Sequence, residues 1–339
     1  MHFEEFVTLA PYTTFGIGGP ARWFAEAATE TEVAEAVEFA RLRELPLFVL
    51  GGGSNLLVKD SGFPGLVLHV GLRGIRRDGD SFEAAAGEPW DPLVSYVVER
   101  GYAGIECLAG IPGTVGATPV QNVGAYGQEV AETIARVRAY DTKTEKLVEL
   151  TAEECGFGYR HSIFNSNERG RYIVTSVKFA LHSQGEPRLS YADLRRRFPA
   201  GSRPMLKEVY LAVRAIRRGK GMLIEEGTPD CRSAGSFFKN PLVDTEHYHR
   251  IAMKAAGPLP SYPAGEERVK MPAAWLVEHA GFARGYQMGH AGISSRHSLA
   301  LINRGGARAD DVLALAQRIQ AAVLEKFGIT LEMEPVVLG

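Results

Sequence analysis

Leu47-Phe48-Val49-Leu50, Gly51-Gly52-Gly53-Ser54-Asn55 and Leu56-Leu57-Val58 follow one another directly, and this order constrains the fold more than any other feature of the chain. The two apolar runs read as buried strands. Three adjacent glycines between them cost roughly 0.5–1 kcal/mol each against alanine in ordered structure, so the loop needs a reason to exist. A dinucleotide fingerprint of the Rossmann kind runs strand, glycine loop, helix, with the pyrophosphate on the helix N-terminus. Here a strand follows, which excludes that architecture. The loop suits either backbone amides that hold a phosphate, assisted by Ser54 and Asn55, or a plain turn.

Around this core the pattern is mixed rather than regularly alternating, which predicts an α+β fold. Helices are expected over 31–45 (apolar face Val33, Ala36, Val37, Ala40), 89–100, 206–217, 271–279 and 310–327, the last ended by Gly328. Further strands are expected at 66–70, 82–87, 135–139 and 172–177. With 339 residues the chain allows two or three domains, and the Pro199–Pro204 composition change predicts a boundary there.

The bulk numbers exclude several functions. A net charge of −2 gives no electrostatic case for nucleic acid or a membrane surface. The one dense basic run, Arg195-Arg196-Arg197, fits the solvated face of a short helix opened by Ser190-x-x-Asp193. No apolar run approaches the ~20 residues of a membrane span. The acidic N-terminus lacks a signal-peptide core. Cys107, Cys155 and Cys231 have no metal-type spacing and fit free thiols in a reducing compartment. A cytoplasmic protein without a metal site is expected.

Four more segments carry chemistry. Ile111-Pro112-Gly113-Thr114-Val115-Gly116-Ala117 leads to Gln121-Asn122-Val123-Gly124-Ala125-Tyr126-Gly127, where glycines interleave with polar side chains; it suits a ligand cradle or close packing of two chain segments. In Phe157-Gly158-Tyr159-Arg160-His161-Ser162-Ile163-Phe164, a guanidinium among aromatic neighbours calls for an anionic partner, whether a bound carboxylate or a structural ion pair. Gly235-Ser236-Phe237-Phe238-Lys239-Asn240-Pro241 sets a hydroxyl beside two rings able to exclude water, and reads equally as a buried strand. Near the C-terminus, Glu332 and Glu334 alternate with apolar residues and would share one face of a strand.

Together these segments, with Tyr12-Thr13-Thr14-Phe15-Gly16-Ile17-Gly18, resemble in order and over nearly the whole chain the UDP-N-acetylenolpyruvoylglucosamine reductases, flavoenzymes of peptidoglycan precursor synthesis. The resemblance implies an α+β FAD-binding fold of the vanillyl-alcohol-oxidase type, with two lobes at about 1–70 and 71–200. It further implies a substrate-binding domain at 201–328 and a C-terminal strand, 329–339, returning to the active site. It implies FAD as cofactor, NADPH as co-substrate, a UDP-sugar substrate and a monomer. Cofactor contacts are then expected from Gly51, Gly52, Gly53, Ser54, Asn55, Ile111, Pro112, Gly113, Thr114, Gly116, Ala117, Gln121, Asn122, Gly124, Ala125 and Tyr126. Tyr159, Tyr191, Arg217, Lys220, Asn240 and Tyr262 would bind substrate, and Arg160, Ser236 and Glu334 would be catalytic. Ser190-Tyr191-Ala192-Asp193-Leu194 looks like the loop with a substrate-capping tyrosine found in the family's long form. Two features depart from the family pattern: Pro335-Val336 follows Glu334 where Val-Arg is common, and the stretch 221–231 before the serine motif is long. Other readings are an FAD oxidase of the same fold acting on an alcohol or sugar, and a catalytically silent flavin-binding module.

Overall fold

The strand, glycine loop and strand expected around residue 52 are present in the computed structural model, as Leu47–Leu50 and Leu56–Val58 on either side of the loop. The structure describes residues 1–225, 227–255, 257–265 and 267–339, with side chains omitted at Pro229 and Lys254. The chain forms two units. One comprises Met1–Val7, Pro20–Gly53 and Phe63–Gly219; the other comprises Thr8–Gly19, Ser54–Gly62 and Lys220–Gly339. The triple-glycine loop is thus a point at which the chain passes from the first unit to the second.

The first unit is built on two larger sheets, beside two short two-stranded ones. In one, Phe63–Val70 lies between Pro20–Ala27 and Leu47–Leu50 and pairs with both in parallel. The helix Glu30–Leu42 covers it, with Val33, Ala36, Val37 and Ala40 buried as their 3.6-residue spacing requires. Thr29 and Glu32 form a reciprocal capping box at its start. The helix stops three residues short of the expected end, because Glu44 takes a left-handed conformation (φ 53°). The other sheet is antiparallel, in the order Lys146–Thr151, Ile134–Asp141, Tyr172–Ala180, Ser81–Ala85, Ile75–Asp78. Trp90–Val98 packs against it, and one continuous apolar core joins both lobes.

One boundary moves. The helix Leu206–Gly219 was expected in the C-terminal domain, but its Leu206, Val209, Ala212 and Val213 are buried in the first unit's core. Arg214 pairs with Asp91 there, and Arg217 Nε donates to the Gly110 carbonyl at 2.9 Å. The apolar stripe decides the membership; the proline-rich stretch at 199–204 marks only a turn into the helix.

The second unit packs the helices Thr245–Lys254, Ala273–His279 and Ala309–Phe327 with two small three-stranded sheets. The long helix buries Val312, Leu315, Ala316, Ile319 and Val323. The C-terminal strand Val336–Leu338 pairs in parallel with Leu56–Val58, so the last residues are held by the segment that follows the glycine loop. Within 221–231, position 226 lies outside the described residues. Among those described, no helix is long and apolar enough to cross a membrane.

Candidate active site

In the first unit the two glycine-bearing loops meet backbone to backbone. A Cβ on Gly52 would stand 2.6 Å from Gly113 Cα, and one on Gly51 would stand 2.7 Å from Thr114 Oγ1. Only glycine permits that approach, which sets the peptide groups of 51–53 beside those of 113–114. The turn 115–118 is tied to the neighbouring chain, with Val115 N donating to Glu88 O and Gly116 N to Ala86 O, and is closed by Ala117 N to Thr114 O and Thr118 N to Val115 O. A cradle lined by backbone at this spacing fits the diphosphate of a flavin dinucleotide.

The following loop is pinned by its polar residues. Asn122, left-handed at φ 46°, donates to Glu129 at 2.8 Å and to the Gly158 carbonyl at 3.0 Å. Its Oδ1 accepts the Ala131 N–H at 3.1 Å. Ser162 Oγ donates to the Val120 carbonyl, also joining this loop to the Arg160 segment. Arg160 itself takes φ 53°, and its Nη2 donates to the Gly124 carbonyl at 2.9 Å. The Tyr159 ring centre lies 5.6 Å from its guanidinium carbon. Arg160 is therefore held in place before any ligand arrives.

Tyr126 meets Tyr191 edge to face, ring centres 5.3 Å apart. Tyr191 and the glycine-loop Tyr126 are thus neighbours in one unit. Arg217, expected among the substrate-binding residues, is buried (6% exposed). Burial pushes its pKa down, opposed by the Tyr126 hydroxyl and Asp91. Placed there, its guanidinium braces Gly110 and Tyr126.

The second unit pairs the segments that carry Ser236 and Glu334. Gly235 turns the chain (φ 72°) into Ser236, and Phe237 and Phe238 behind it are fully buried. This segment is not the regular strand it resembles in sequence. A single antiparallel bridge joins Phe238 to Met333, flanked by Glu334 N to Phe237 O and Lys239 N to Glu332 O, both at 2.9 Å. Asn55, expected at the cofactor, donates its Nδ2 to the Glu334 carbonyl at 3.2 Å and accepts from Val336 N at 3.0 Å. Glu332 and Glu334 part company here. Glu332 is 71% exposed and pairs with Lys239 Nζ at 2.5 Å, whereas Glu334 is partly buried beside the serine turn. Asn240 Oδ1 accepts the Ala273 N–H at 2.9 Å, capping a helix. Tyr262 is half-exposed on the short strand Tyr262–Pro263, and Lys220 begins the unit's last segment.

Sequence reasoning passed over His297, whose Nε2 lies 3.4 Å from Ser236 Oγ. Its only sequence signal is a polar run, Ser294-Ser295-Arg296-His297-Ser298, between the apolar Ile293 and Leu299. Ser294 Oγ accepts the N–H groups of Arg296 and His297, and Asp230 accepts both N–H and Oγ–H of Ser295. The long stretch ending at Cys231 therefore supplies, through Asp230, a brace for the histidine turn.

Residues 21–151 match the model of an FAD binding domain, and residues 228–338 match that of the UDP-N-acetylenolpyruvoylglucosamine reductase C-terminal domain. A UDP-N-acetylenolpyruvoylglucosamine reductase of Streptomyces coelicolor is 48% identical over 98% of this chain and 89% of its own length. The chain belongs to the UDP-N-acetylenolpyruvoylglucosamine reductase family. The Thermobifida fusca reductase is 45% identical over 99% of this chain and 98% of its own. The crystal structure of the Thermus caldophilus reductase superposes over 100% of both chains, with a TM-score of 0.71 and 29% identity. The α+β FAD-binding fold expected for a reductase of this family is the fold observed, and the chain is an FAD-binding oxidoreductase.

Proposed function

We propose that this chain reduces the enolpyruvyl group of UDP-N-acetylglucosamine enolpyruvate to the lactyl ether. The product is UDP-N-acetylmuramate, made for peptidoglycan, and the reductant is NADPH. A cytoplasmic, monomeric enzyme goes with this reading. FAD, when bound, would supply the two-electron chemistry that couples oxidation of NADPH to reduction of the enol ether.

The diphosphate of the cofactor would rest on the backbone of Gly51–Gly53 and Gly113–Thr114, with Asn122 and Tyr126 shaping the loop around it. Tyr159, Tyr191, Lys220, Asn240 and Tyr262 would receive the UDP-sugar. Hydride addition leaves negative charge beside the substrate carboxylate. Arg160, fixed by Gly124 O, would stabilise that charge without having to reorganise. Ser236 then protonates the adjacent carbon: its Oγ–H bond breaks, a C–H bond forms, and His297 Nε2 is placed to steady the oxygen left behind. Glu334 shares a hydrogen bond with the substrate carboxylate, which requires a proton on one of the two. The buried Phe237 and Phe238 keep water from competing with the serine proton.

The observation that supports this reading is the antiparallel bridge between Phe238 and Met333, which lays the segment carrying Ser236 along the segment carrying Glu334 although almost a hundred residues separate the two. The test is anaerobic. NADPH should bleach the flavin absorption, and adding the enolpyruvyl substrate should restore it with formation of the lactyl product. A flavin that bleaches but recovers only with oxygen, releasing peroxide, would reject the substrate and favour an oxidase.

A further inference from the structure

We propose that Arg188 and Glu106 are positioning residues for the substrate cap: they clip the base of the Tyr191 segment to the loop that carries Tyr126, so that the two tyrosines are placed as one body. This rests on the reading of Tyr191 as a substrate contact.

Arg188 stands three residues before Tyr191 and is held at three points. Its N–H donates to Glu106 Oε1 at 2.9 Å. Its carbonyl accepts the Cys107 thiol at 3.2 Å. Its Nη1 donates to the Gly127 carbonyl at 2.7 Å and to both Glu132 oxygens at 2.7 Å. Gly127 follows Tyr126 directly, so the guanidinium grips the peptide next to the partner tyrosine.

Glu106 closes the clip from the inside. It is fully buried, a setting in which a carboxylate needs hydrogen-bond donors. It finds Gly104 N at 2.8 Å, Gln128 Nε2 at 2.8 Å and Arg188 N, with the Cys107 thiol a longer fourth donor at 3.8 Å. Gln128 in turn accepts the Cys107 N–H at 2.8 Å through Oε1. Burial and the neighbouring Glu106 push the Cys107 pKa up, so the sulfur keeps its proton and serves as a donor. Where the loops touch, a Cβ on Gly127 (φ 84°) would lie 2.5 Å from Ser190 Oγ. The cap segment therefore approaches as close as glycine allows, and Tyr191 reaches the edge of Tyr126.

The geometry separates positioning from stability. The Arg188–Glu132 pair is 43% and 41% exposed, and ion pairs that wet contribute little to folding. One nitrogen, Nη1, makes all the guanidinium contacts, so a lysine ammonium is able to replace it.

The full FAD-loaded chain is compared with Arg188→Met, Arg188→Lys and Tyr191→Ala, following the KM for the UDP-sugar, anaerobic flavin reduction by NADPH, and thermal midpoint. Arg188→Met should raise that KM roughly five- to tenfold, a loss of uniform substrate binding. Flavin reduction and the thermal midpoint should stay at the parent values, and Arg188→Lys should return KM to within about twofold of the parent. If Tyr191→Ala raises KM and Arg188→Met does not, the clip is rejected and the role of Tyr191 stands. If Tyr191→Ala leaves KM unchanged, the reading of Tyr191 fails and takes this proposal with it. Equal loss of flavin reduction in Arg188→Met would make the residue structural and overturn the positioning role.

Discussion

Ser236 Oγ lies 3.4 Å from Nε2 of His297, a residue 61 positions further along the chain. The contact is a loose hydrogen bond, near the limit at which such bonds count, and catalytic contacts often tighten only with substrate present. His297→Ala should slow flavin reoxidation by the enolpyruvyl substrate about tenfold, or roughly 1.4 kcal/mol, while leaving reduction by NADPH intact. Stopped-flow absorbance separates the two steps; an unchanged reoxidation rate would remove His297 from the proton-donor assembly.

Ser236→Ala should be far more damaging. General acids of this kind contribute typically 10²–10⁴-fold, so reoxidation by substrate should fall by about that factor. Flavin content and reduction by NADPH should persist. Equal damage to both half-reactions would rule out Ser236 as proton donor.

The two C-terminal carboxylates should behave differently. Glu332 is largely exposed on Lys239, and an ion pair of that sort is worth about 0–1 kcal/mol. Glu332→Gln should therefore leave kcat within about twofold and the thermal midpoint nearly unmoved. Glu334→Gln should lower kcat by roughly 10²-fold, with little change in substrate KM. The reverse ranking, measured in steady state, would transfer the catalytic role to Glu332.

Gly52→Ala should cost the cofactor. The added Cβ would stand 2.6 Å from Gly113 Cα, with backbone on both sides and no flexible side chain to yield. The two loops must separate, and the purified variant should carry less than about a tenth of the parent's flavin, a loss worth more than ~1.4 kcal/mol of binding. Flavin absorbance per chain measures this directly; full occupancy would show that the loop contact does not shape the cofactor site.

Asp141 makes acid stability specific. It is 2% exposed, and Arg171 grips both its oxygens, at 2.9 Å and 2.8 Å. Those hydrogen bonds hold its carboxyl well below the ordinary aspartate value of 3.8. A depressed folded pKa stabilises the fold above the ordinary value, and that contribution is lost as pH falls through the folded one. Asp141→Asn should cost about 3 kcal/mol at pH 7, or roughly 5–10 °C in thermal midpoint. The gap between parent and variant should hold down to about pH 4 and narrow below it. A gap that is constant with pH would show that packing, not charge, accounts for the loss.

Much was legible along the chain because its causes are local. Apolar spacing placed the helices Glu30–Leu42 and Ala309–Phe327, and Gly328 (φ 66°) ends the latter as expected. The succession of strand, glycine loop and strand excluded a Rossmann site, since a helix N-terminus either follows a loop or does not. Ordered motifs from Tyr12 to Glu334 named the family and its flavin. Other features depend on which distant surfaces meet. The stripe on Leu206–Gly219 shows that the helix buries one face, but not which unit receives it. Glu332 and Glu334 carry the same period-two signal, and only pairing with Lys239 and with the serine turn distinguishes them. His297, Glu106 and Arg188 belong to no motif and act through partners up to 82 residues away. Local sterics and side-chain periodicity are written residue by residue, whereas register, burial and long-range hydrogen bonds exist only once the packed chain has excluded water.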